Sequence, residues 1–196
     1  MLKRLFDIFF SLLGITILFI PLFIVSVLVM VTSKGGIFYK QIRVGKDGVD
    51  FSLLKFRTMK PGSDKTSLLT VGEKDNRVTK IGFPLRKYKI DEFPQLLNVL
   101  LGDMSLVGPR PEVRKYVDLY SSEQKHVLSV KPGMTDYASI EYSKENELLG
   151  KAENPERAYV NEIMPAKLKL NLQYIKEQTL FTDLKIIFRT IGKILR

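Results

Sequence analysis

Apolar residues fill an almost unbroken run that starts after Met1-Leu2-Lys3-Arg4-Leu5-Phe6-Asp7 and ends near Val31-Thr32. About 27 residues at ~1.5 Å each give roughly 40 Å of helix, more than the ~30 Å hydrocarbon core of a bilayer. The run predicts a membrane-embedded segment. It is too long for a signal-peptide core, and no small-residue cleavage site follows it. Pro21 stands near its middle, where it removes a backbone hydrogen bond and predicts a break. Lys3 and Arg4 precede the run, and Lys34, Lys40, Arg43 and Lys46 follow it. Basic residues at both ends favour keeping both on the cytoplasmic side, so the run reads as a broken helix that dips into one leaflet and returns. A single-pass helix with a tolerated proline is the alternative on the same residues. Asp7 is cheap only near the interface, where Lys3 or Arg4 is its expected partner.

Gly35-Gly36 ends the run, and the period changes. Ile37 to Val44 alternates as a strand, Gly45-Lys46-Asp47-Gly48 reads as a turn, and Phe51 to Met59 reads as a second strand, which together predict a hairpin. Lys60 to Arg77, with Pro61, Gly62 and Gly72 and no period, reads as a loop. Thr79 to Arg86 leads to a short helix expected to be capped by Asp91, opened by Glu92 and Phe93 with Pro94 in its first turn, and stopped by Gly102. Its apolar positions Phe93, Leu96, Leu97, Val99, Leu100 and Leu101 give a wide buried face. Val113, Tyr116, Val117 and Tyr120 fall on one helical side, and Ser121 or Ser122 caps a further helix from Glu123 to Val130, closed by Lys131-Pro132-Gly133. From Leu168 to Arg196 the pattern is that of a basic amphipathic helix, suited to a membrane surface or to core packing. The expected fold class is α+β. Residues 1–34 form a re-entrant, proline-broken membrane helix, and 35–196 form a small, mainly helical, cytosolic membrane-associated domain with a short β-hairpin and amphipathic interfacial helices.

Charge narrows the partners. The 31 Lys+Arg against 21 Asp+Glu give a net +10 over 196 residues, which favours nucleic acid, anionic lipid headgroups or phosphorylated substrates. The absence of cysteine excludes disulfides, thiolate chemistry and cysteine metal sites. His126, the only histidine, has no second histidine beside it to share a metal and reads as a surface or half-buried residue. Glu141, Glu145, Glu147, Glu156 and Glu162 are later acidic residues that a metal site could draw on, but no spacing singles one out.

Candidate chemistry concentrates between Arg86 and Pro111. Arg86, Lys87 and Lys89 precede the adjacent carboxylates Asp91 and Glu92, and Pro109-Arg110-Pro111 follows across a glycine-punctuated loop. A carboxylate pair at a helix start, framed by cations, suits phosphate and its metal ion. Lys55 and Arg57 share one strand face and can present two cations to a diphosphate. Glycoside hydrolysis fits poorly, because adjacent carboxylates hardly flank a sugar from opposite sides. A membrane-anchored basic module that binds anionic lipid or nucleic acid without chemistry is the other reading, and it leaves Asp91-Glu92 without a role.

Four segments together resemble the small monotopic phosphoglycosyl transferases, the bacterial initiating sugar transferases. They are Lys3-Arg4-Leu5-Phe6-Asp7 before the proline-containing run, Lys55-Phe56-Arg57-Thr58-Met59, Asp91-Glu92-Phe93-Pro94-Gln95-Leu96, and Gly102-Asp103-Met104-Ser105-Leu106-Val107-Gly108-Pro109-Arg110-Pro111. The resemblance implies transfer of a phospho-sugar from a UDP-sugar to a polyprenol (undecaprenyl) phosphate at the cytoplasmic face of the bacterial inner membrane, with release of UMP, at the start of glycan synthesis. It also implies Mg2+ as cofactor and membrane lipid as surroundings, with no nucleic-acid partner. Asp91 is then the nucleophile and metal contact, Glu92 its dyad partner, Arg110 between Pro109 and Pro111 a nucleotide or phosphate contact, and Lys55, Arg57 and Arg86 further substrate-binding candidates. Two departures from the family pattern stand out. Ile20 precedes Pro21 where many relatives carry Ser, and Asp136-Tyr137-Ala138-Ser139-Ile140-Glu141 follows Pro132-Gly133-Met134-Thr135.

Overall fold

In a computed structural model, residues 1–63, 69–72 and 75–194 are described. Parts of the expected Lys60 to Arg77 loop, at 64–68 and 73–74, and the last two residues of the expected C-terminal helix lie outside them.

Helix α1 spans Leu2–Thr32, with Pro21 inside it rather than ending it. The proline removes one helical donor, yet the backbone continues as one helix through it. The helix ends where Gly35 and Gly36 adopt positive φ. Its amino-terminal turns dock on the rest of the chain. Lys3 Nζ binds Asp183 Oδ2 at 2.5 Å and the Val107 carbonyl at 3.1 Å, and the Arg4 guanidinium donates to the Val99 and Leu100 carbonyls. Asp7 does not pair with Lys3 or Arg4 as expected. It is buried and accepts from Ser105 Oγ and Leu106 N, both at 3.0 Å, while the two cations cap other groups. Val29 and Ser33 at the far end are also buried, whereas Ile17, Phe19, Ile20 and Phe23 in the middle are exposed.

The hairpin forms as expected. β1 (Phe38–Val44) and β2 (Asp50–Phe56) pair antiparallel, with Lys55 opposite Tyr39. After α2 (Gly82–Lys87), Lys89 takes a left-handed conformation, φ 57°, and a 3-10 turn, Ile90–Glu92, leads into α3 (Gln95–Leu101). Asp91 is therefore not the N-cap. The cap position is Pro94, and no side chain bonds the free N–H groups there. Gly102, at φ 102°, stops α3 as expected, its N–H bonding the Asn98 carbonyl.

One element has no counterpart in the sequence reading. β3 (Ser105–Val107) and β4 (Gly133–Thr135) pair in parallel. Their backbones touch where Gly108 meets Gly133, so a Cβ on either residue would collide with main-chain atoms. Between these strands, α4 (Arg114–Val117) is shorter than the apolar pattern suggests, yet Val113, Tyr116, Val117 and Tyr120 are all buried. Ser121 and Gln124 then cap a 3-10 segment, Gln124–Ser129, reciprocally: Gln124 N donates to Ser121 Oγ, and Ser121 N to Gln124 Oε1. His126 is exposed.

Asp136 caps α5 (Tyr137–Glu141) by accepting from Ser139 N. α6 (Glu145–Lys151), α7 (Pro155–Ala158) and a π turn, Tyr159–Ile163, run into α8 (Met164–Lys176). The expected single C-terminal helix is two helices. α8 ends before Glu177, and α9 (Leu180–Ile194) starts anew, with Thr179 Oγ1 accepting from Thr182 N. The break seats Asp183 in the interior, where it meets Lys3 and the Tyr174 hydroxyl.

Candidate active site

Asn98 sets the register between helix and hairpin. Its Oδ1 accepts from Leu54 N at 3.0 Å, and its Nδ2 donates to the Ser52 carbonyl at 2.8 Å. Lys55, the next residue along β2, is thereby aimed at the 3-10 turn, and its Nζ lies 3.0 Å from Glu92 Oε1. Arg110 approaches the same carboxylate from the loop after β3. Its Nη1 lies 3.3 Å from Glu92 Oε2, and its Nη2 pairs with Oε1.

That loop is braced on both sides. Arg110 N donates to Asp136 Oδ2, Gly133 N to the Pro109 carbonyl, and Arg43 Nη1 to the Pro111 carbonyl. Pro109 and Pro111 are buried packing residues that hold Arg110 rather than line the main cleft. Arg43, Asn98 and Asp136 join the site without having been singled out for it. Their signal in the sequence is weak, since each acts through a partner far along the chain.

The two neighbouring carboxylates have opposite environments. Asp91 is 6% exposed. Burial pushes its pKa above the ordinary aspartate value, with Lys55 opposing that rise and Glu92 adding to it. Burial pushes Glu92 upward too, but Arg110, then Lys55 and Lys89, outweigh it and hold this carboxyl well below the ordinary value. Burial in turn lowers the Lys55 pKa, which Glu92 partly restores. Among the described residues no hydrogen bond or ion pair engages the Asp91 carboxylate. Glu92 thus serves as the shared anion of two cations, and Asp91 is left available.

Asp91, Glu92, Lys55 and Arg110 line a cleft of about 1680 Å³. Arg86 and Arg57 also reach it, but Arg86 bonds Thr70 Oγ1 at 2.8 Å and Arg57 bonds the Gly36 and Phe38 carbonyls. Arg57 therefore serves to hold the start of the hairpin. One arm of the cleft is apolar, between Phe6 and Phe10 of α1 and Leu184, Ile187 and Phe188 of α9. Of the later glutamates, only Glu145 lines the cleft, and it is paired with Lys167 at 2.6 Å. No cluster of three potential metal-ligating side chains occurs among the described residues. One open carboxylate beside a cationic cleft fits Mg2+, which binds through one or two carboxylates together with substrate phosphates and water.

Fold and site define an α+β domain with a long apolar anchor and a buried, unengaged carboxylate in a cationic cleft. The chain belongs to the bacterial sugar transferase family, whose model matches residues 1–196. It is 37% identical over 199 residues to UDP-N-acetylgalactosamine-undecaprenyl-phosphate N-acetylgalactosaminephosphotransferase of Aeromonas hydrophila, covering 98% of this chain and 43% of that protein. It is likewise 37% identical to UDP-glucose:undecaprenyl-phosphate glucose-1-phosphate transferase of Caulobacter vibrioides, covering 98% of this chain and 69% of the relative. Exopolysaccharide production protein ExoY of Rhizobium meliloti is 34% identical, with 97% and 84% covered. The chain therefore spans less than half of the Aeromonas relative and most of the other two.

Proposed function

We propose that the protein moves a phospho-sugar from a UDP-sugar to undecaprenyl phosphate through a covalent aspartyl intermediate at the cytoplasmic face of the membrane. The observation that carries this reading is the Asp91 carboxylate, buried in the cleft with no partner, while its neighbour Glu92 is clamped by Lys55 and Arg110. A carboxylate oxygen of Asp91 attacks the phosphorus that bears the sugar, the bond from that phosphorus to the UMP oxygen breaks, and UMP leaves. An oxygen of the lipid phosphate then attacks the same phosphorus, which releases Asp91 and yields a polyprenyl-diphosphate-sugar.

Lys55 and Arg110, held by Glu92, meet the charge of the donor diphosphate. Mg2+, held by Asp91 and the substrate phosphates, would supply neutralisation of that diphosphate. The apolar arm between α1 and α9 receives the polyprenyl chain. The names of the curated relatives support both the donor and the acceptor.

The anchor is re-entrant in this reading. Lys3, Arg4 and Asp7 at one end of α1 bond the catalytic domain, and the other end runs directly into β1 of the same domain. A helix tied to one domain at both ends has no terminus free to cross. Intact-mass analysis of the protein mixed with a UDP-sugar and Mg2+, without acceptor, tests the chemistry. A mass increase of one phospho-sugar that is absent in Asp91→Asn is expected. UMP formation that survives in Asp91→Asn would overturn the assignment.

A further inference from the structure

Next to the main cleft lies a recess of about 180 Å³. Arg110, Arg43, Glu145 and Lys167 line both spaces. Two polar side chains in the recess lack partners. Asn171 is 4% exposed and its Oδ1 is buried without a hydrogen bond. Tyr120 is 8% exposed, and among the described residues no hydrogen bond engages its hydroxyl. Buried polar groups are ordinarily satisfied, so the orphaned Asn171 Oδ1, facing one small space with the accessible and unbonded Tyr120 hydroxyl, points to an occupant.

We infer that this recess holds the sugar of the donor and that Asn171 and Tyr120 determine which sugar is accepted, an inference that rests on the proposed phospho-sugar transfer.

Charge favours a neutral occupant. Arg43 is paired with Glu112 and Lys167 with Glu145, so these two cations at the recess already have their anions, while Arg110 shares Glu92 with Lys55 and meets the diphosphate in the proposed transfer. Size favours a single ring, since the volume falls below that of pockets which enclose drug-sized ligands. Tyr116 and Leu168 offer apolar walls for the C–H face of a pyranose, while Asn171 Oδ1 accepts from a hydroxyl or amide N–H and the Tyr120 hydroxyl can donate or accept. The position follows from the chemistry. The sugar is attached to the phosphorus that Asp91 attacks, and Arg110 borders both the carboxylate pair and the recess.

Calorimetric titration of the full chain in detergent, in an Asp91→Asn background with Mg2+, separates the sugar from the nucleotide. The probes are UDP-glucose, UDP-N-acetylglucosamine, UDP-N-acetylgalactosamine and UDP. Asn171→Leu and Tyr120→Phe should each weaken the best UDP-sugar by about tenfold or more, reorder the three sugars and leave UDP affinity unchanged. Equal losses for UDP and UDP-sugars, or no loss for either, would show that the recess holds only water. Tyr120→Phe removes a single oxygen and carries the test if Asn171→Leu does not fold. A parent protein that forms no adduct and releases no UMP with any of the three donors would instead strike the transfer itself, and this inference with it.

Discussion

At Asp91 the demands of folding and of the proposed attack on phosphorus pull in opposite directions. Its pKa is raised by burial, so the charged form destabilises the fold, a cost that grows as pH rises past the ordinary aspartate value and is complete above the raised one. Asp91→Asn should therefore lose adduct formation and UMP release and yet melt at a higher temperature, which differential scanning fluorimetry would read. The same shift sets the pH profile. The attacking form is the carboxylate, so kcat/KM should rise with pH through a value above that of an ordinary aspartate. Glu92→Gln removes a like charge and frees Lys55 from its ion pair, and both changes favour the Asp91 carboxylate. The residual activity of this variant should rise at a lower pH than that of the parent. An acid limb that stays in place would mean that another group sets it.

Elements built from local signals were legible in the sequence, and those built from distant pairings were not. The hairpin β1–β2 follows from alternation around a glycine turn, and the end of α3 follows from Gly102. The start of α3 was missed because Asp91 followed by Glu92 and Pro94 looks like a capped first turn. The left-handed Lys89 instead delivers the chain as a 3-10 turn. The β3–β4 ladder consists of three-residue strands far apart in sequence, too short for a period to show. The site behaved likewise. The fold brings Lys55, Asp91, Glu92 and Arg110 to one cleft, and only the fold shows Glu92 held by two cations and Asn98 locking β2 to α3. Asn98→Ala strands Leu54 N and the Ser52 carbonyl, and should cost about 1–3 kcal/mol in chemical denaturation. Because Lys55 follows Leu54 directly, this variant should also slow adduct formation, whereas a surface control such as Lys125→Ala should change neither.

For the molecule as a whole, the attachment of α1 decides how the catalytic domain meets the bilayer. The first turns of α1 and Val29 and Ser33 near its other end contact the rest of the chain while Ile17, Phe19, Ile20 and Phe23 in its middle are exposed, and α9 presents Phe181 and Phe188, 78% and 69% exposed, with Phe188 lining the cleft together with Phe6 and Phe10. In the proposed reading, the exposed apolar middle of α1 and the exposed aromatic residues of α9 lie in lipid and seat the cleft at the lipid boundary. That reading requires both ends of α1 to face the same compartment. The chain lacks cysteine, so Leu2→Cys and Lys34→Cys, both at exposed positions, can each report through a membrane-impermeant thiol reagent. Both should label in inside-out vesicles, and neither in right-side-out ones. Labelling of Leu2→Cys from the outside alone would place the amino terminus across the membrane and overturn the re-entrant reading, which rests on the Lys3–Asp183 pair and the Asp7 bonds to Ser105 and Leu106. Breaking those ties tests the same geometry energetically. Asp7→Ala leaves Ser105 Oγ and Leu106 N without their acceptor, so it should destabilise the protein by about 1–3 kcal/mol and weaken the acceptor-dependent second step more than UMP release in the first.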